Sequence, residues 1–243
     1  MTEVLIIGGT SDIALACAHF FAKHRFNIQL AGRDVEYLGR IKADLEIRYE
    51  ISCRIYYFEA IDFESHKELI DNLGVFPDIT IWAVGYLGDQ ERAQRLWSES
   101  LQIIQVNFCA AVSVLNRVAE LYEHEQRGTI VGISSVAGDR GRSSNYLYGA
   151  SKSALSAYLS GLRQRLSKCR VHVVSVKPGF VRTKMTSDLK LPRALTAVPN
   201  TVAKCIYLAV KRKKNVVYVK SEWRYIMCLI KNIPETIFKN LRL

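Results

Sequence analysis

The strongest constraint in this chain is a repeated beat in which each short, β-branched apolar run is followed by a longer segment of helical periodicity. VLII (4–7) leads into a helix from about Ile13, IQLA (28–31) into a helical stretch past Asp34, and CRIYYF (53–58) into FESHKELIDNL. ITIWAV (79–84) precedes a long helical region from about Glu91 to Glu125, and TIVGIS (129–134) precedes a helix through Tyr148. VHVVSV (171–176) and VVYV (216–219) complete the series. This alternation predicts an α/β fold: one Rossmann-type domain, a doubly wound parallel sheet of about seven strands with helices on both faces. In such sheets ligands bind beyond the carboxyl ends of the strands, so the loops after each strand are where chemistry is sought.

Composition narrows the setting. At 243 residues the chain can bury a substantial core, and no linker or internal repeat divides it. Its six cysteines are dispersed without a C-x-x-C pair, which predicts neither a disulfide framework nor a metal site and fits a reducing, cytoplasmic environment. MTEVLIIGGT resembles neither a signal nor a transit peptide, and no apolar run approaches the roughly 20 residues of a membrane span. From Lys211 onward there are nine Lys/Arg against two Asp/Glu, so +7 of the net +11 lies in a basic tail. Charge alone would suggest nucleic acid, but this asymmetry argues against a nucleic-acid-binding surface.

Three loops carry candidate sites. GGTSDIALA (8–16) places glycine at the start of a helix, where free amides and the helix dipole favour a pyrophosphate. Gly8, Thr10, Ser11, Asp12 and Ile13 are its candidate contacts, and the competing reading is a plain turn capped by Ser11 or Asp12. LAGRD ends the second strand with no acid at Gly32 and with Arg33 next, which favours NADP(H) over NAD(H); Asp34 reads as a helix N-cap. Tyr148 and Lys152 stand four apart in YGASK, on one helical face. A lysine about 4 Å from a phenol, at an effective dielectric near 20, would lower the phenol pKa by roughly three units, toward general acid-base range. The competing reading is a buried aromatic, and Tyr207 with Lys211 in YLAVK has the same spacing.

The joint order GGTSDIA, IDF, AVG, QVN, ISS, YGASK and PGFVRT, with thirteen residues from Ser135 to Tyr148, resembles the short-chain dehydrogenase/reductase family over nearly the whole chain. That resemblance implies an NAD(P)-dependent oxidoreductase with Asn107, Ser135, Tyr148 and Lys152 as the catalytic set. Tyr148 would be the proton donor to a carbonyl, Lys152 would lower its pKa and bind the nicotinamide ribose, and Ser135 would hold the carbonyl oxygen. Asn107 would hold a proton-relay water. Asp62 and Phe63 match the adenine-contacting pair, and Pro178, Gly179 and Thr183 the nicotinamide-side loop. The strand-4 loop reads W-A-V-G (Trp82 to Gly85) where the family has N-N-A-G, a departure that keeps only the glycine; Ala83 and Gly85 are its candidate cofactor contacts. The family's T-G-x-x-x-G-x-G becomes I-G-G-T-S-D-I-A, with Asp12 for the middle glycine and Ala14 for the last. An acid there opposes a pyrophosphate unless its side chain caps the helix. The family also implies a homodimer or homotetramer.

Residues 1–220 therefore read as the dinucleotide-binding catalytic domain and 221–243 as a basic amphipathic tail, not an independent domain. In the tail Trp223, Ile226, Met227 and Ile230 follow i, i+3, i+4, i+7. Beyond Pro234, Ile237, Phe238 and Leu241 fall together, with Lys231, Lys239 and Arg242 elsewhere. One reading rests these faces on an anionic membrane as a peripheral contact at its inner side; the other packs them on the domain or on a second subunit. Within the family, IIGGTSDIA, AVGYLGDQ and the W-R…P-E…F tail look similar to the keto-reductase components of decaprenylphosphoryl-ribose 2-epimerases and related envelope-polysaccharide reductases, a group associated with NADH. This implies a 2-keto sugar on a polyprenyl phosphate as substrate. Arg182, Lys184, Lys190 and Arg193, in the expected substrate lid, are candidates to meet a phosphate. The alternatives are another hydrophobic carbonyl, of 3-ketoacyl, retinoid or steroid type, and a non-catalytic dinucleotide sensor or scaffold.

Overall fold

The computed structural model of the chain describes residues 2–189 and 191–241; Lys190 and Arg242 lie outside the described residues. The strands are β1 (Glu3–Ile7), β2 (Asn27–Gly32), β3 (Cys53–Tyr57), β4 (Ile79–Trp82), β5 (Gly128–Ile133), β6 (Val171–Pro178) and β7 (Val216–Val219). The helices are α1 (Asp12–Lys23), α2 (Val35–Tyr49), α3 (Ser65–Asp71), α4 (Gln90–Ala93), α5 (Trp97–Ile104), α6 (Ala110–Glu125), α7 (Tyr146–Leu166), α8 (Pro199–Lys211), α9 (Glu222–Asn232) and α10 (Glu235–Phe238). The sheet is parallel throughout in the order β3-β2-β1-β4-β5-β6-β7. The fold is thus the doubly wound Rossmann domain that the alternation predicts.

Side-chain alternation along each strand feeds two cores. Val4 and Ile6 point to the layer built by α1, α2 and α8, whereas Leu5 and Ile7 point to that of α3, α6 and α7. Being apolar on both faces, β1 is fully buried, as the centre of a two-sided parallel sheet requires. Strand order reverses between β1 and β4, which opens a crevice at their carboxyl ends.

The long helical region expected from about Glu91 to Glu125 is divided into segments. Asp89 caps the short α4, residues 94–96 interrupt, and a π-turn at Gln105–Cys109 joins α5 to α6. The run Trp97–Glu125 is long and apolar enough by composition to cross a membrane, but its α6 half packs into the core with Val114, Leu115, Val118 and Tyr122 buried. Tyr207 packs against Phe20, Phe21 and His24 on the α1–α8 side, so YLAVK is a structural helix face.

The tail's apolar face packs on the domain. Trp223 and Met227 of α9 are buried in a third cluster with Val136, joined by Phe180, Leu195, Tyr218, Ile226 and Ile230. Burying a tryptophan and a methionine there commits the i, i+3, i+4, i+7 face to packing on the domain. Tyr225, Leu229, Ile237 and Leu241 remain exposed. Phe238 lies under the Arg140 guanidinium, 4.0 Å from the ring centre, and Arg140 also donates to the carbonyls of Ile230, Lys231 and Ile233.

Candidate active site

The crevice is a cleft of about 470 Å³. Its walls come from the turn after β1 (Gly8, Thr10, Ser11, Asp12, Ile13), the ends of β2 and β3, the β4 loop, the end of β5, α7 and the loop after β6. Gly8 has a φ of +88°, and a Cβ there would lie 2.9 Å from the Ala83 carbonyl carbon, so only glycine lets β1 turn this close to β4. Ser11 is the N-cap of α1 and accepts from the Ala14 amide at 3.2 Å. Ser11, Asp12 and Ile13 at the start of α1 line the cleft, so the helix dipole adds positive potential where a pyrophosphate would sit. The residues present fit a dinucleotide in this respect.

Asp12 does not cap the helix. Its carboxylate accepts the backbone N–H of Lys184, in the loop after β6, at 2.6 Å. Asp34 is the N-cap of α2, accepting from Tyr37 at 2.8 Å, whereas Gly32 and Arg33 line the cleft at the end of β2. Arg33 Nη1 lies 3.6 Å from Glu59 Oε2.

The expected pair Asp62 and Phe63 does not line the cleft; Phe58, Glu59 and Ala60 do. Register explains the displacement. β3 stops at Tyr57 opposite Gly32, the Phe58 amide bonds the Gly32 carbonyl at 3.1 Å, and the chain then turns, with the Asp62 amide on Glu59 O at 3.3 Å. Asp62 is exposed, and its carbonyl accepts from Ser65 at the start of α3, while Phe63 packs edge-on against His66.

The catalytic candidates converge at the other end. Ser135 follows β5 at the rim of the sheet, and α7 brings Tyr148 and Lys152 into the same wall. Lys152 is 3% exposed and donates to the Ile133 carbonyl at 3.1 Å, with its Nζ 5.8 Å from the Tyr148 ring centre. A methyl group at Gly85 would stand 3.4 Å from both Lys152 Nζ and Asn107 Oδ1, so the β4 loop passes between these two side chains. Asn107 lies in the π-turn, fully buried. Its amide donates to Tyr86 O (2.7 Å) and Ile103 O (2.9 Å), and its oxygen accepts from Tyr86 N (3.0 Å), which fixes the β4 loop.

The electrostatics differ from the expectation. Burial pushes the Tyr148 phenol up to about 12, and a hydrogen bond with Ser135 opposes the shift only in part. Burial lowers Lys152 to about 8. Desolvation is the largest influence on both groups and moves the phenol opposite to the direction expected from a neighbouring lysine alone.

Ser134, adjacent to Ser135 and also in the cleft lining, has its hydroxyl engaged with Lys152 O at 2.9 Å and Ser156 Oγ at 2.7 Å, which ties β5 to α7. Ala83, Pro178, Gly179 and Thr183 all line the cleft. Met185 lines it as well, unanticipated in the sequence. Gly179 abuts the tail: a Cβ there would lie 2.0 Å from the Trp223 indole. Arg182, Lys184 and Arg193 are exposed.

A crevice at the β1–β4 switch point, a helix N-terminus facing it and a Ser-Tyr-Lys wall define a nucleotide-dependent oxidoreductase of the Rossmann class. The model of the family described as short chain dehydrogenase matches residues 2–194. An uncharacterized oxidoreductase of Mycobacterium tuberculosis is 30% identical over 98% of this chain and 96% of its own length. Carbonyl reductase family member 4 of Xenopus laevis is 26% identical over 76% and 78%. Among solved structures, a short-chain dehydrogenase from Sphingobium yanoikuyae in complex with NADPH superposes with a TM-score of 0.82 at 21% identity, covering 97% of each chain. The chain belongs to the short-chain dehydrogenase/reductase family and is an NAD(P)-dependent oxidoreductase.

Proposed function

We propose that the protein reduces a ketone to a secondary alcohol with NADPH, and that Tyr148 is the proton donor. The observation that carries this reading is the meeting of Ser135, Tyr148 and Lys152 in one wall of the cleft. Bound nicotinamide would supply the hydride. Ser135 holds the carbonyl oxygen against the phenol, and the Tyr148 O–H gives its proton to that oxygen as negative charge develops on it. A phenol raised to about 12 stays loaded at neutral pH, which suits a donor. Lys152, still largely protonated at pH 7 with a pKa of about 8, lies close enough to stabilise the phenolate that remains. Asn107 acts through the β4 loop, whose amide and carbonyl at Tyr86 it clamps. The preference for NADPH is supported by Gly32 at the end of β2, where an NAD-type acid would stand, and by Arg33 beside it in the cleft wall.

For the substrate, the reading taken forward is a 2-keto sugar on a polyprenyl phosphate, processed at the cytoplasmic face of a membrane. Its support is the tail sequence similarity together with exposed Tyr225, Leu229, Ile237 and Leu241 on a segment carrying Arg224, Lys231 and Lys239. A second reading, another hydrophobic ketone, is favoured by relatives named as carbonyl and 3-oxoacyl reductases. The test offers purified protein a polyprenyl-phosphate 2-keto-pentose, a 3-ketoacyl thioester and a steroid ketone in turn, and follows absorbance of NADPH and NADH. Consumption with the lipid-linked sugar alone supports the first reading; consumption with either other ketone in preference supports the second.

A further inference from the structure

The contact between Asp12 and Lys184 joins residues 172 apart in sequence and crosses the cleft. One partner stands in the first turn of α1. The other begins the 3₁₀ turn Lys184–Thr186, in the excursion that leaves the sheet after β6. That excursion starts from a neck where Arg182 N bonds Ala197 O (2.9 Å) and Ala197 N bonds Phe180 O (2.8 Å). Its returning limb is pinned by the Trp223 indole N–H on Leu195 O at 3.1 Å and by the Lys220 amine on Ala194 O. Its outgoing limb reaches the nucleotide half through Asp12 and through the Lys184 amine, 5.9 Å from the centre of the Tyr37 ring on α2. Between these anchors the Met185 side chain enters the cleft, its methyl 3.9 Å from where a Cβ on Gly85 would stand, beside Lys152 and Asn107.

The helix does not need this carboxylate as a cap, because Ser11 already fills that role. Where a pyrophosphate is the ligand, an acid in the first turn is an electrostatic cost. We propose that Asp12 is a positioning residue: its carboxylate straps the 183–186 turn across the cleft, seats Met185 beside the reacting end, and slows departure of the dinucleotide. The proposal rests on the cofactor reading above.

Strap and simple repulsion give opposite signs, which makes the idea testable. Asp12→Ala removes both the acceptor and the charge; Asp12→Asn removes the charge but keeps an acceptor oxygen. NADPH dissociation is followed by fluorescence of the bound nicotinamide, and amide hydrogen exchange at Lys184 is measured in the cofactor-free protein. Loss of a hydrogen bond to a charged, partly exposed acceptor is expected to speed both by about tenfold in Asp12→Ala. Asp12→Asn, which keeps a weaker, neutral acceptor, should exchange at a rate between wild type and Asp12→Ala and release NADPH more slowly than Asp12→Ala. Slower NADPH release from Asp12→Ala would assign the carboxylate to repulsion alone and overturn the proposal. Unchanged exchange at Lys184 in Asp12→Ala would overturn the strap itself. If the wild type bound neither dinucleotide, the cofactor reading would fall, and the release half of the proposal with it, whatever the exchange rates showed.

Discussion

Lys152 Nζ stands 5.8 Å from the centre of the Tyr148 ring and is held by the Ile133 carbonyl at 3.1 Å, not, among the described residues, by a carboxylate. The ammonium is therefore a buried cation whose shift comes from desolvation. Its folded pKa of about 8 lies below the 10.5 of a free lysine, so protonating it opposes folding. Lys152→Met is expected to raise stability at pH 7 by up to about 3 kcal/mol, less the lost hydrogen bond. The sign follows from proton counting: between about pH 8 and 10.5 the unfolded chain binds more protons, so wild-type stability from this group rises with pH. The advantage of the variant should be full below pH 8 and shrink toward 10.5. Urea titrations of both proteins at pH 7 and pH 9.5 check this.

The same pair sets a pH profile for reduction. In the free enzyme Tyr148 keeps its proton to about 12, whereas Lys152 loses its own near 8. The kcat/KM for ketone reduction should fall above about pH 8, as the cation that stabilises the phenolate disappears. A profile flat to pH 10 would show that Lys152 has no such role.

Cofactor choice should respond to Arg33 and Glu59 in opposite directions. Glu59 Oε2 sits 3.6 Å from Arg33 Nη1 and competes for the guanidinium that a 2′-phosphate would use. Arg33→Ser is expected to cut the NADPH-to-NADH ratio of kcat/KM by about tenfold or more, and Glu59→Gln to raise it severalfold. Arg33 is largely exposed and its contact with Glu59 is long, so Arg33→Ser should shift the melting temperature little.

The tail is expected to be part of the folded unit. Trp223→Ala should cost about 3–5 kcal/mol. Gly179→Ala should be comparably damaging, since its Cβ would fall 2.0 Å from the indole. Thermal melts of the two variants measure this, and a tail that merely rests on a membrane would leave them unchanged.

How far the sequence could be read varies by element. The strands could be placed because apolar runs such as VLII, buried on both faces, need no partner information to be recognised. The spacing of Ser135, Tyr148 and Lys152 was equally legible, being local to one strand end and one helix. What failed depended on distant partners. The cleft edge falls at Glu59 and Ala60 because β3 ends where it pairs with Gly32, and that register is invisible in IDF. The direction of the Tyr148 shift depends on burial by the whole domain. The α9 stripe was visible, but its partners Val136 and Phe180 lie about 90 and 40 residues upstream. The partner of Asp12, the Lys184 amide, lies 172 residues away, so GGTSDIA by itself shows only an acid where the family carries glycine.

The most direct test of the central claim compares wild type and Tyr148→Phe for NADPH binding by fluorescence and for NADPH consumption with the ketone panel. Wild type should bind and consume; Tyr148→Phe should bind within about twofold and lose turnover by roughly 10²–10⁴. Turnover by Tyr148→Phe at the wild-type rate would contradict the assignment of Tyr148 as proton donor and with it the reductase mechanism proposed for this cleft.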